Sequence, residues 1–196
     1  DYPRIVQLTR QAAERHHWKA MLNLASYYVQ GRDPQHGNED AVRLIEAAMQ
    51  LNVPAAYDRM GTYHMNGVGV SPDATRAYAF WQHAALMGNP QALTYIGRRL
   101  RAIDDNIIPG YWANIPVATK MLECAHSQGY GPAAYELYSV YLRPLSSDGT
   151  YVMDPTAEPR TRTMRLLHEG VKFGCSNSAI KLYLEFDPAR KSPMFA

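Results

Sequence analysis

The sequence predicts an all-α fold, a right-handed α-solenoid of about five antiparallel helix pairs forming a single domain over residues 1–196. Three observations carry this. One residue template returns five times in register, a residue suited to left-handed backbone follows the first helix of a pair at a fixed offset, and proline opens the second helix. The template reads most clearly in Ala77-Tyr78-Ala79-Phe80-Trp81-Gln82-His83-Ala84-Ala85-Leu86-Met87-Gly88, followed by Ala92-Leu93-Thr94-Tyr95-Ile96-Gly97. With Ala77 as offset zero, a large apolar residue stands at +3, small residues at +7 and +8, and glycine at +11. Alanine follows at +15, an apolar residue at +19 and glycine at +20. The copies start at Ile5, Ala41, Ala77, Ala118 and Thr163, giving periods of 36, 36, 41 and 45 residues. Periods of this length mark a solenoid, in which each unit buries its apolar face only by stacking on its neighbours. Such stacks build long surfaces rather than clefts.

Within each repeat the leading helix is expected from about −3 to +11 and the trailing helix from about +13 to +26. Ala77, Phe80, Ala84 and Ala85 share one face of the leading helix, the spacing of a buried stripe. Alanine at +7 and +8 lets a neighbouring axis come close. Gly88 and Gly129 at +11 can take positive φ and end the helix, Asn52 tolerates that conformation, and His16 fits the slot less well. Pro54, Pro90 and Pro132 open trailing helices, where a fixed φ and a missing N–H cost least. Gly61 and Gly97, at +20, stand in mid-helix at a cost of about 1 kcal/mol relative to alanine. They therefore predict a neighbouring helix pressed against bare backbone. Tyr28, His64, Leu100, Tyr141 and Phe186, at +23, are expected to fill the next gap between repeats. Gly31 and Gly67 end trailing helices, and Asp73 is placed to cap the leading helix that follows it.

Composition excludes several classes. A net charge of +2 with 18 acidic residues offers no continuous basic stripe for nucleic acid. No apolar run approaches the roughly 18 residues that cross a bilayer, so direct membrane insertion is not expected. The chain opens at Asp1-Tyr2-Pro3 without methionine or an apolar stretch, and a targeting segment is expected to lie outside this sequence. Cys124 and Cys175 fall about 9 Å apart along the helix axis on a rise of 1.5 Å per residue, which predicts two free thiols.

The segments Met60-Gly61-Thr62-Tyr63-His64-Met65-Asn66-Gly67, with Gly69-Val70 and Asp73 after them, and Leu24-Ala25-Ser26-Tyr27-Tyr28-Val29-Gln30-Gly31 resemble the Sel-one-like (SLR) repeat family, relatives of tetratricopeptide repeats. The resemblance runs from about Ile5 to Asp187. The fourth and fifth copies depart from it: Tyr138 and Tyr183 replace glycine at +20, and Gly170-Val171 replaces Ala-Ala, so looser packing is expected there. The resemblance implies a non-enzymatic protein–protein interaction protein without a cofactor. The short array with Arg4-Ile5-Val6 leading into its first helix also resembles SLR immunity proteins that neutralise phospholipase effectors of the bacterial type VI secretion system. That likeness implies a periplasmic binding protein with an effector as partner. The alternatives are an adaptor gathering peptides or subunits in its groove, with a cytoplasmic location open, and, remotely, an SLR hydrolase of the β-lactamase kind.

Alignment with the tetratricopeptide pattern puts part of each trailing helix into a concave groove. This gives Leu22, Ser26, Val29 and Gln30; Asp58, Thr62, Met65 and Asn66; Thr94, Arg98 and Arg101; and Tyr135, Ser139, Leu142 and Arg143. Methionine, tyrosine and arginine are enriched at interfaces. Arg98 and Arg101 share a helix face and suit carboxylates on a partner. Two insertions, 104–115 and 144–159, bring Tyr111, Trp112 and Tyr151 as further binding anchors. Tyr111 and Trp112 equally suit a plug folded back on the fourth repeat.

Catalytic and metal chemistry find little footing. Ser178-Ala179-Ile180-Lys181 matches a Ser-x-x-Lys string, but Ser178 holds the +15 slot that alanine fills in the first four repeats, and no Lys-Thr-Gly follows. Ser178 is therefore expected in the core. The seven histidines show neither His-Glu-x-x-His nor Cys-x-x-Cys spacing, so no metal site is expected.

Overall fold

The computed structural model describes residues 2–101, 114–142 and 157–186, with no account of the side chains at 2, 3, 101, 142, 157–160 and 183–186. Ten helices occupy them: α1 (Tyr2–Glu14), α2 (Trp18–Val29), α3 (Asn38–Gln50), α4 (Pro54–Asn66), α5 (Ala74–Leu86), α6 (Pro90–Arg101), α7 (Ile115–Ser127), α8 (Gly131–Leu142), α9 (Ala157–Lys172) and α10 (Ser176–Phe186). There is no strand among the described residues. Consecutive helices pack on one another within two compact units, Asp1–Ala92 and Leu93–Ala196.

All five trailing helices begin at the residue that the register predicts, as do four of the five leading ones. Two boundaries are corrected. Helix α9 begins at Ala157, inside the expected insertion 144–159, and α7 takes in Ile115 from the other insertion. The register overlooked that Pro159 falls in the first turn of α9, where a missing N–H breaks no helical bond.

The +11 slot is left-handed in every repeat. His16 has φ 60°, Asn52 54°, Gly88 81°, Gly129 77° and Gly174 79°. Hydrogen bonds reach back from this slot to the helix just ended, as in Gly88 N–H to the Ala85 carbonyl at 2.9 Å. The short link between antiparallel helices demands this conformation, so His16 adopts it despite its Cβ. Asp73 caps α5 as predicted, accepting from the Arg76 N–H at 3.0 Å. Asn89 and Asn114 do the same for α6 and α7, at 2.8 and 3.1 Å.

The core follows offset +4 more closely than the +3 singled out in the sequence. Ile45, Trp81, Leu122 and Leu167 hold +4 and are buried, with Thr9 half-buried; at +3 only Leu166 is buried, Leu44, Phe80 and Met121 are half-buried and Leu8 is exposed. Trailing-helix glycine explains the preference. A Cβ on Gly61 would come within 2.7 Å of the Trp81 ring and 2.9 Å of the Ala77 carbonyl oxygen. On Gly97 it would lie 3.1 Å from Leu122 Cγ and 3.2 Å from the Ala118 oxygen. Each glycine thus receives offsets zero and +4 of the next repeat. In the fourth repeat Tyr138 holds the slot and is itself buried. At +7 of α9, a Cβ on Gly170 would overlap Ser178 Oγ on α10 and stand 3.4 Å from Ala134 Cβ on α8, so this glycine lets α10 approach α9. The burial of Tyr138 and the close approach at Gly170 run against the looser packing expected for these copies.

Candidate functional site

The structure sorts the predicted groove residues into three groups. Leu22 and Thr94 are buried, which corrects their assignment to an open face: at +17 of the first and third repeats the side chain turns into the core. Asp58, Met65 and Tyr135 are half-buried, and Val29, Gln30, Asn66 and Arg98 are exposed. Arg101 belongs to α6 by its backbone only, and Tyr111, Trp112, Arg143 and Tyr151 lie outside the described residues, as does the side chain of Leu142. The +21 hydroxyls behave alike. Ser26, Thr62 and Ser139 each donate to the carbonyl four residues back, at 3.0, 3.2 and 3.1 Å. Their protons are therefore used within their own helices.

In the first unit the most unusual of these residues is Asp58 on α4. Its carbonyl oxygen accepts from Trp81 Nε1 at 3.1 Å and from Thr62 Oγ1 at 3.2 Å. Its carboxylate has no hydrogen-bond or ion-pair partner among the described residues. The adjacent Arg59 turns instead to α2, donating from Nη1 to Ser26 Oγ at 3.1 Å. Burial pushes the Asp58 carboxyl up to about 6, with only the Arg59 charge acting against it.

That shift carries a testable sign. The folded state holds the proton over a range where the unfolded chain, near the ordinary aspartate value, has released it. The contribution of this carboxyl is then fullest below about pH 4, falls as pH rises to about 6, and stays lost above that. Replacing the carboxylate removes the penalty. Asp58→Asn is expected to stabilise the fold by about 2–3 kcal/mol near pH 8, a gain that shrinks toward about pH 4.5. Urea denaturation at both pH values checks this, and equal or negative changes would refute it.

In the second unit, Tyr95 lies beneath two arginines, with Arg98 and Arg99 each 5.5 Å from its ring centroid. Arg98 thus starts from a cation–π contact and remains exposed. Tyr135 stacks on Tyr138 at 6.3 Å, so it packs partly against the core. A cluster that sequence reasoning missed joins three helices. Tyr141 Oη donates to Glu123 Oε1 at 2.6 Å and accepts from Arg162 Nη2 at 2.7 Å, with the Arg162 guanidinium 3.8 Å from the Tyr141 ring centroid. Burial, then Glu123, pushes the Tyr141 phenol up to about 12. Glu123 matches no template position, so nothing in the sequence marked it.

Ser178 is fully buried, as its slot predicts, and its hydroxyl has no hydrogen-bond partner among the described residues. Lys181 Nζ stands 5.9 Å from the Tyr138 ring centroid. A nucleophile sealed from solvent cannot meet a substrate, which removes the Ser-x-x-Lys reading. Both cysteines are free, Cys124 exposed and Cys175 buried. Among the described residues no histidine, cysteine or carboxylate group of three could hold a metal ion, and no helix is long and apolar enough to cross a membrane.

No protein-family model matches the chain, and no curated protein sequence does either. Solved structures do. A Sel1 repeat protein from Oxalobacter formigenes superposes with a TM-score of 0.68 at 22% identity, covering 94% of this chain and 49% of that one. The immunity protein PA5088 from Pseudomonas aeruginosa gives 0.69 at 28% identity, covering 98% of this chain and 65% of its own. This chain has the Sel1-like repeat fold. A second immunity protein of Pseudomonas aeruginosa, Pa5087, gives 0.62 at 29% identity, over 91% of this SLR chain and 61% of its own. The SLR array described here therefore spans about half of the Oxalobacter protein and less than two thirds of each immunity protein. Its likeness to SLR-fold and immunity proteins supports a role in protein–protein interaction.

Proposed function

We propose that this SLR protein is a non-enzymatic binding protein that neutralises a bacterial effector, a phospholipase delivered by type VI secretion, and acts in the periplasm. The observation that carries the reading is its similarity, over more than nine tenths of its length, to two proteins named as immunity proteins. The geometry is compatible with it. The trailing helices present Asp58, Met65, Arg98 and Tyr135 on repeat-spaced positions, and the one serine proposed as a nucleophile is sealed.

The test begins with capture of the tagged chain from its source cells, followed by a phospholipid-vesicle hydrolysis assay on the captured protein. One stoichiometric partner whose lipase activity falls at equimolar chain is expected. Several substoichiometric partners with no inhibition would instead identify an adaptor. Joint charge reversal, Arg98→Glu with Arg101→Glu, is expected to weaken capture at least about tenfold while leaving helical content unchanged. Unchanged affinity would shift the site to Tyr111, Trp112 and Tyr151.

A further inference from the structure

We propose that Asp58 is the anchor point for an arginine side chain of the protein partner, its carboxylate receiving a guanidinium where none of the described residues pairs with it. The inference rests on the reading of the trailing-helix face as partner-binding, and it names the chemistry that one position on that face recognises.

Three features of α4 and its neighbours carry it. The carboxylate is half-buried and unpaired among the described residues, an arrangement that costs stability unless a counter-charge arrives. Three neighbouring donors turn elsewhere. Trp81 Nε1 and Thr62 Oγ1 both point to the Asp58 backbone oxygen, and the Arg59 guanidinium bonds Ser26 on α2. The third feature is rigidity. The turn that bears Asp58 is clamped by the Trp81 ring seated over Gly61, one turn along α4, so the carboxylate cannot simply swing away with its backbone. A position held this firmly, partly desolvated and without an ion-pair partner among the described residues, is complementary to an incoming cation. Arginine suits it better than lysine because guanidinium is more weakly hydrated and forms two parallel hydrogen bonds to a carboxylate.

Trp81 also supplies the reporter, since its indole N–H bonds the Asp58 carbonyl. The experiment titrates N-acetyl-arginine amide into the full chain and follows the Trp81 indole resonance by NMR, with the neutral isostere N-acetyl-citrulline amide as control. A saturable shift with the arginine probe, a dissociation constant in the millimolar range, no comparable shift with citrulline, and loss of the response in Asp58→Asn are expected. Equal response to both probes, or an unchanged response in Asp58→Asn, overturns the proposal. That variant is expected to fold at least as well as the parent, and its retained indole resonance verifies this. Failure of the functional reading is separate: an arginine response that requires Asp58, together with no inhibited lipase, leaves the anchor standing and discards the immunity role. Conversely, an inhibited lipase with a citrulline-equivalent response discards only the anchor.

Discussion

Replacing Trp81 by alanine is expected to destabilise the first unit by about 3–5 kcal/mol, the cost of emptying a buried indole site. Trp81 is buried, bonds the Asp58 carbonyl at 3.1 Å, meets Tyr78 edge-on at 5.6 Å and covers the bare backbone at Gly61. The pairing with Gly61 makes the prediction sharper. Gly61→Ala gains about 1 kcal/mol of helix propensity, yet it forces a methyl group against the indole and the Ala77 oxygen, a clash of about 1–3 kcal/mol. Alone it is expected to be destabilising. In the Trp81→Ala background the indole clash is gone, and the same change should become close to neutral. Far-UV circular dichroism during urea denaturation of the four proteins measures the coupling. Additive effects would show that the ring and the glycine do not share one space.

The second large effect lies at Asp33, where Asp33→Asn is expected to cost about 2–3 kcal/mol, less than a fully buried pair because Arg10 is a third exposed. Asp33 itself is buried. Its carboxylate accepts from Arg10 on α1, from the Gln35 N–H at 3.1 Å and from His36 at 3.1 Å, while His36 stacks flat on Tyr28 at 4.6 Å. Burial alone would raise the Asp33 carboxyl, but the Gln35 amide, His36 and Arg10 together outweigh it and hold it below its ordinary value. A depressed folded value means that the contribution is present above the unfolded aspartate value and is lost as pH falls through the folded one. The parent should therefore lose stability in acid more steeply than Asp33→Asn. Melting temperatures followed from about pH 6 to pH 3 check this, and parallel curves would exclude the network as the cause.

These two sites differ in how far the sequence reached them. Gly61 was legible: glycine in mid-helix has no local justification, so it required a close neighbour, and the repeat register said where. The neighbour itself was not. The template drew attention to +3, where Phe80 is prominent, whereas Trp81 at +4 covers the glycine. One residue of a helix is a rotation of about 100°, too fine to be fixed by a pattern across imperfect copies. Asp33 and Arg10 stand 23 residues apart with no counterpart in the other repeats, so neither periodicity nor motif could join them. The same holds for Glu123, Tyr141 and Arg162. Asp58 lay within reach as a groove position, but its want of a counter-ion depends on where Arg59 turns, and that is decided by Ser26 on another helix.

The sequence by itself determined the helices: their pairing, the starts of all but α9, the left-handed residue between partners and the places where backbone must approach backbone. Those features arise from interactions within a few residues, and a template repeated five times averages away the noise of any one copy. Tertiary structure alone decided which side chain meets which. It favoured +4 over +3 in the core, buried Leu22 and Thr94, set Gly170 against Ser178, and left the Asp58 carboxylate without an ion-pair partner among the described residues. The physical reason is that packing volume and desolvation belong to groups brought together from distant positions. No local pattern encodes them.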